Sequence, residues 1–118
     1  MTDLVAVVSS GPGTAKHVEN VTRGLDWGRV LLVVPAGSPT PFPLGETTEL
    51  IPMDFSQPIQ HVIEQLVASL KPKISGTEVG LNLISGDGKE HMAVLSAILR
   101  CGVGFRLIAL TKEGVTEI

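Results

Sequence analysis

A three-layer α/β/α domain on a mainly parallel sheet of about five or six strands is the fold this sequence predicts, and three observations predict it. Short, fully apolar runs alternate along the chain with stretches of helical periodicity. Two of the apolar runs empty into Ser/Gly-rich loops that lead directly into a helix. The chain of 118 residues is the size of one domain, so a single core spanning residues 1–118 is expected.

The first run, Leu4 to Val8, reads as a strand covered on both faces and ends at Ser9-Ser10-Gly11-Pro12-Gly13. From Thr14, Val18, Val21, Thr22 and Leu25 recur at helical spacing, predicting a helix that ends near Gly28, with Trp27 packed close to its end. Val30 to Val34 is a second buried strand, stopped by Pro35. Ala36 to Glu46 carries Pro39, Pro41 and Pro43 and is a surface loop. Thr47 to Asp54 has a weaker strand pattern broken by Pro52, which suits a sheet edge or a partly irregular segment.

Ile59, Val62, Ile63, Leu66, Val67 and Leu70 define the second helix, with Ser56 as a candidate N-cap and Pro72 beyond its end. Glu78 to Ile84 is a strand running into Ser85-Gly86-Asp87-Gly88. Lys89 to Arg100 is a third helix, with Gly102 as its stop. Phe105 to Leu110 reads as a last core strand, and Gly114 to Ile118 as a short edge strand or hairpin arm. The alternation implies crossover connections and a Rossmann-like sheet between helical layers.

Composition narrows the function classes. Apolar residues are 43% and charged residues 18% of the chain, a balance that supports a sheet covered on both faces. The net charge is −3 without any Lys/Arg run, so the electrostatic footprint for duplex nucleic acid or an anionic membrane is missing. No apolar stretch approaches the roughly 20 residues a bilayer requires and the start lacks a signal-peptide pattern, so a cytoplasmic protein is expected. Cys101 is the single cysteine and is expected to be a small buried hydrophobe; no metal site or cofactor is assigned.

In an open parallel sheet ligands sit beyond the carboxyl ends of the strands, facing helix N-termini. Ser9, Ser10, Gly11 and Gly13 offer hydroxyls, free N–H groups and close backbone approach there. Ser85, Gly86, Gly88 and Lys89 repeat the arrangement and add an ammonium, which makes a phosphate the expected guest. Neither loop spells a dinucleotide or Walker fingerprint. Asp87 either caps the third helix, orients Lys89, or speaks against an anion. Lys89, His91 and His17 are the candidate acid, base or charge-stabilising groups near the same rim, whereas His61 falls on the polar side of the second helix.

The stretch Asn82-Leu83-Ile84-Ser85-Gly86-Asp87-Gly88-Lys89-Glu90-His91-Met92-Ala93, followed by an apolar helix and Gly102-Val103-Gly104-Phe105-Arg106-Leu107-Ile108, resembles the signature region of the CRISPR-associated Rossmann-fold (CARF) domains. Ser9 to Gly13 falls where that family places its other ligand loop. The resemblance implies a minimal stand-alone member that forms a homodimer and senses a cyclic oligoadenylate in CRISPR-linked antiviral signalling. It also implies an enzymatic alternative, a metal-independent ring nuclease that cleaves such a ligand. A non-enzymatic protein-interaction or assembly module is the third expectation, resting on the proline-rich loop and on the apolar third helix with Val94, Leu95, Ile98 and Leu99.

Overall fold

The computed structural model describes residues 2–118. The elements follow in the order β1 (Asp3–Val7), α1 (Thr14–Gly24), β2 (Val30–Pro35), β3 (Thr48–Met53), α2 (Ile59–Leu70), β4 (Glu78–Asn82), α3 (Gly88–Arg100), β5 (Gly104–Thr111) and β6 (Gly114–Glu117). They form one six-stranded sheet in the order β3-β2-β1-β4-β5-β6. Every neighbouring pair is parallel except β5 with β6, a hairpin arm. The expected three-layer Rossmann-like architecture is therefore the observed one.

Alternation along the strands sends successive side chains to opposite faces and so builds two cores. Val5, Val7, Leu31, Val33, Val79 and Leu81 pack under α2 and α3, against Leu66, Leu70, Val94 and Ile98. Leu4, Ala6, Val30, Leu32 and Ile108 pack on the other face against Val18 and Val21 of α1 and against Trp27. Phe42 from the proline-rich loop and Leu50 extend that second core. Burial of both faces is why β1 and β2 read as continuous apolar runs.

Several element ends differ from the expectations. α1 stops at Gly24, because Leu25 is already extended (φ −134°, ψ 163°), and Trp27 follows in the turn. There its indole Nε1 donates to the Val21 carbonyl at 2.9 Å, which satisfies the polar end of a ring only 9% exposed. Pro58, not Ser56, precedes α2; the Ser56 hydroxyl donates instead to Asp54 at 2.6 Å. β4 ends at Asn82, two residues before Ile84, and the chain leaves the ladder where the Asn82 side chain takes up the Ile84 N–H at 3.3 Å. β5 is less of a core strand than its apolar residues suggest. Only Ile108 is buried along it, and Leu107 is 42% exposed, because α3 lies mainly over the centre of the sheet. Cys101 is the C-cap of α3 and partly exposed, and burial pushes its thiol above the ordinary value, against an opposing pull from Lys71.

At the amino end of the sheet Asp3, 1% exposed, holds the turn before β2 and the segment after α2 together. One carboxylate oxygen accepts the Arg29 N–H at 2.8 Å and the other the Ser75 N–H at 2.9 Å. Among the described residues no helix is long and apolar enough to cross a membrane.

Candidate functional site

β1 and β4 are adjacent parallel strands, and the helices that follow them lie on opposite faces of the sheet, α1 on one and α3 on the other. The connections leaving this central pair therefore diverge, which makes it the topological switch point where a crevice opens in α/β sheets of this kind. Both Ser/Gly loops predicted from the sequence leave the sheet here.

The two loops are stitched together at their base. The Ser9 N–H donates to Ser85 Oγ at 3.0 Å, Ser85 Oγ donates to the Ser10 carbonyl at 3.0 Å, and the Gly86 N–H reaches the same carbonyl at 2.9 Å. Ser85 is fully buried, so its hydroxyl serves the contact between the loops. Ser10, Gly11 and Gly13 are exposed on the rim, and Ser9 is half-buried beneath it. Gly13 takes a left-handed conformation (φ 74°) at the N-cap of α1. With no side chain on that residue, no side-chain group satisfies the first N–H donors of α1.

α3 begins differently. Asp87 is its N-cap in a complete capping box: the Asp87 carboxylate accepts the Glu90 N–H at 2.9 Å, and Glu90 Oε1 accepts the Asp87 N–H at 3.0 Å. Of the three roles open to Asp87, the structure assigns the cap. Gly88 is the first residue of the helix. Lys89 reaches the connection between β3 and α2, where its Nζ donates to the Phe55 and Gln57 carbonyls at 2.8 and 2.7 Å. Its ammonium thus pins a neighbouring loop.

Both histidines are also engaged. His91 Nε2 lies 2.7 Å from the Ser85 carbonyl, which can only accept, so that nitrogen carries the proton. His17 is the reverse case, since the Leu110 N–H donates to its Nε2 at 3.3 Å and that nitrogen must present a lone pair. Asn82 Nδ2 lies 3.3 Å from the same nitrogen and donates to the Ile108 carbonyl at 2.8 Å, linking the start of α1 to the ends of β4 and β5. His61 is exposed on α2. Among the described residues no group of three His, Cys, Asp or Glu side chains gathers as a metal cage.

Sequence reasoning passed over Glu90, the residue that joins the two loops. It is 7% exposed, and Ser9 Oγ donates to its Oε1 at 2.6 Å. The spacing Asp87-x-x-Glu90 is a capping-box signature that marks both carboxylates in the sequence. The bond from Ser9, 81 positions away, leaves no such mark.

Two hollows lie outside the loops themselves, the second beside the start of the Ser85 loop. A cavity of about 410 Å³ sits between the end of α1 and the proline-rich loop, lined by Arg23, Asp26, Trp27 and Leu44 among others. A smaller apolar one of about 210 Å³ is lined by Leu81, Leu83, Ile84, Leu107 and Ile118. Comparison of the chain with protein-family models, with curated proteins and with solved structures finds no match in any of the three.

Proposed function

We propose that the switch-point loops bind the phosphate groups of a small nucleotide-type ligand, and that the protein works as a cytoplasmic homodimeric sensor of a cyclic oligoadenylate. The observation that carries the reading is the uncapped start of α1 beside the Ser9–Gly13 loop at the β1/β4 switch point. A helix N-terminus whose N–H groups lack a side-chain partner favours an anion, and open α/β sheets place ligands at this point. α3 already uses its own carboxylates at its start, so the phosphate belongs with α1. Ser10, Gly11 and Gly13 then contact the ligand directly, while Ser85, Gly86, Gly88 and Lys89 hold the opposite wall in place. The cyclic oligoadenylate class comes from the resemblance of residues 82–93 to the CARF signature.

The dimer is supported by the exposed apolar side chains nearest this wall. Ile84, which precedes Ser85, is 50% exposed, Leu107 42% and Ile118 72%, and these three share one hollow. Met92 and Leu99 are exposed on α3, which packs beside β5. All five side chains are uncharged, so apolar surface of a second copy is a suitable cover in an isologous pair.

Thermal-shift measurements with cyclic tri-, tetra- and hexa-adenylate, linear oligoadenylates, ATP and NAD test the ligand, since a ligand that binds the folded state raises the melting temperature by mass action. Stabilisation by one cyclic species supports the sensor, and its conversion to linear fragments in EDTA identifies a ring nuclease. No shift with any nucleotide refutes the reading. Light scattering of the wild type and of Leu107→Glu tests the dimer, which predicts a dimer for the first and a monomer for the second.

A further inference from the structure

We infer that His17 is a proton-sensitive latch: the neutral ring holds the start of α1 against the ends of β4 and β5, and the protonated ring must let go.

Two hydrogen-bond donors converge on one atom of the imidazole. The Leu110 N–H of β5 donates to His17 Nε2 at 3.3 Å, and Asn82 Nδ2 of β4 lies 3.3 Å from the same nitrogen. The Asn82 amide is oriented from both ends, since its Oδ1 accepts the Ile84 N–H at 3.3 Å and its Nδ2 donates to the Ile108 carbonyl at 2.8 Å. The group facing His17 is therefore the second N–H of Asn82, which like the Leu110 N–H can only donate. A neutral imidazole with its proton on Nδ1 meets both donors with the Nε2 lone pair. An imidazolium carries a proton on each nitrogen and sets a third donor against them. Asn82 is 2% exposed, so its second N–H loses its acceptor in a buried place when the ring leaves.

Nothing around the ring compensates a positive charge. No ion pair among the described residues includes His17. On α1 itself Glu19 is taken by Lys16 and Arg23, while Glu78 of β4 and Glu117 of β6 both pair with Arg106 of β5. In the hairpin turn Glu113 accepts from Thr111 Oγ1 at 3.3 Å, next in sequence to the cationic Lys112. His17 also stands in the opening turns of α1, where the helix dipole opposes a cation. Its own N–H donates to the Gly13 carbonyl at 3.3 Å, so the latch bears on the helix start that leads out of the Ser9–Gly13 loop. Acid frees that start from the sheet while the two cores keep their packing. The inference needs no bound ligand and is independent of the proposed function.

NMR on the ligand-free protein from about pH 8 to about pH 5 tests it, because a histidine changes charge in that range. In the neutral protein the ring-nitrogen shifts should place the His17 proton on Nδ1 and the His91 proton on Nε2, an internal contrast. As the His17 ring takes up its second proton, the Leu110 backbone and Asn82 side-chain amide signals should move with it. Hydrogen-exchange protection at Leu110, corrected for the intrinsic pH dependence of exchange, should fall about fivefold or more, the loss expected for one hydrogen bond, with Val5 and Leu31 unchanged. His17→Gln offers an acceptor oxygen near the Nε2 position and does not titrate, so its Leu110 should stay protected over the same range. A neutral ring with its proton on Nε2, a ring still neutral at about pH 5, or Leu110 and Asn82 signals indifferent to its titration overturns the inference. So does an equal loss of protection in His17→Gln. The wild-type measurements decide the point even if the variant does not fold.

Discussion

Gly86→Ala probes the joint between the two loops. Gly86 has φ 107°, and a Cβ built there would lie 2.7 Å from Glu90 Oε1, 3.1 Å from His91 Nε2 and 3.1 Å from Val7 Cγ1. Backbone strain of this kind costs on the order of 1–3 kcal/mol. The Glu90 carboxylate can retreat only by loosening its bonds from Ser9 and Asp87, and His91 only by giving up the Ser85 carbonyl, at about 1 kcal/mol for each bond lost. The total is about 4–6 kcal/mol, a large share of the roughly 5–15 kcal/mol that holds a domain together. Gly13→Ala is the control, because Gly13 also has positive φ (74°) but nothing lies within 4 Å of its Cβ position. It should lose only the backbone component, about 1 kcal/mol. Urea unfolding of the two variants beside the wild type gives both values from the midpoints at constant m. Equal losses for Gly86→Ala and Gly13→Ala would show that the contacts with Glu90, His91 and Val7 contribute nothing, and would refute the reasoning.

Three further predictions follow from the same geometry. Asp87→Ala removes the N-cap of α3 and should cost about 1 kcal/mol by urea unfolding, with Asp87→Asn recovering most of it. Lys89→Ala frees the Phe55 and Gln57 carbonyls, so hydrogen exchange should accelerate across residues 55–59 while the strands keep their protection. The Asp54 carboxyl should titrate below the ordinary carboxylate value, because the Ser56 hydroxyl, the Gln57 amide and the Ser56 N–H all donate to it. A lowered folded-state value means that its contribution to stability is present above the ordinary carboxylate range and is lost as pH falls through the folded value. A carbon-detected NMR titration of wild type and Ser56→Ala checks this, with the Asp54 midpoint expected to move upward in the variant.

What could be read in the chain by itself was whatever depends on local spacing. Val5, Leu31 and Val33 announce strands because both faces of a central parallel strand are buried, and Val62, Leu66 and Leu70 announce α2 because one face of a helix is. Asp87 and Glu90 mark the start of α3 because a capping box closes within one turn. The Ser9–Gly13 and Ser85–Lys89 loops could likewise be assigned to strand ends.

Strand order was decided only in three dimensions. It places β4 beside β1 and thereby brings the two loops into contact. Only that juxtaposition lets Ser9 reach Glu90, sends Lys89 to carbonyls more than 30 positions away and buries Ser85. It also leaves Leu107 half uncovered on a strand whose apolar residues look internal. Periodicity reports how many faces of an element are covered; it carries no information on which distant residue does the covering, because that pairing is set by the closure of the whole sheet.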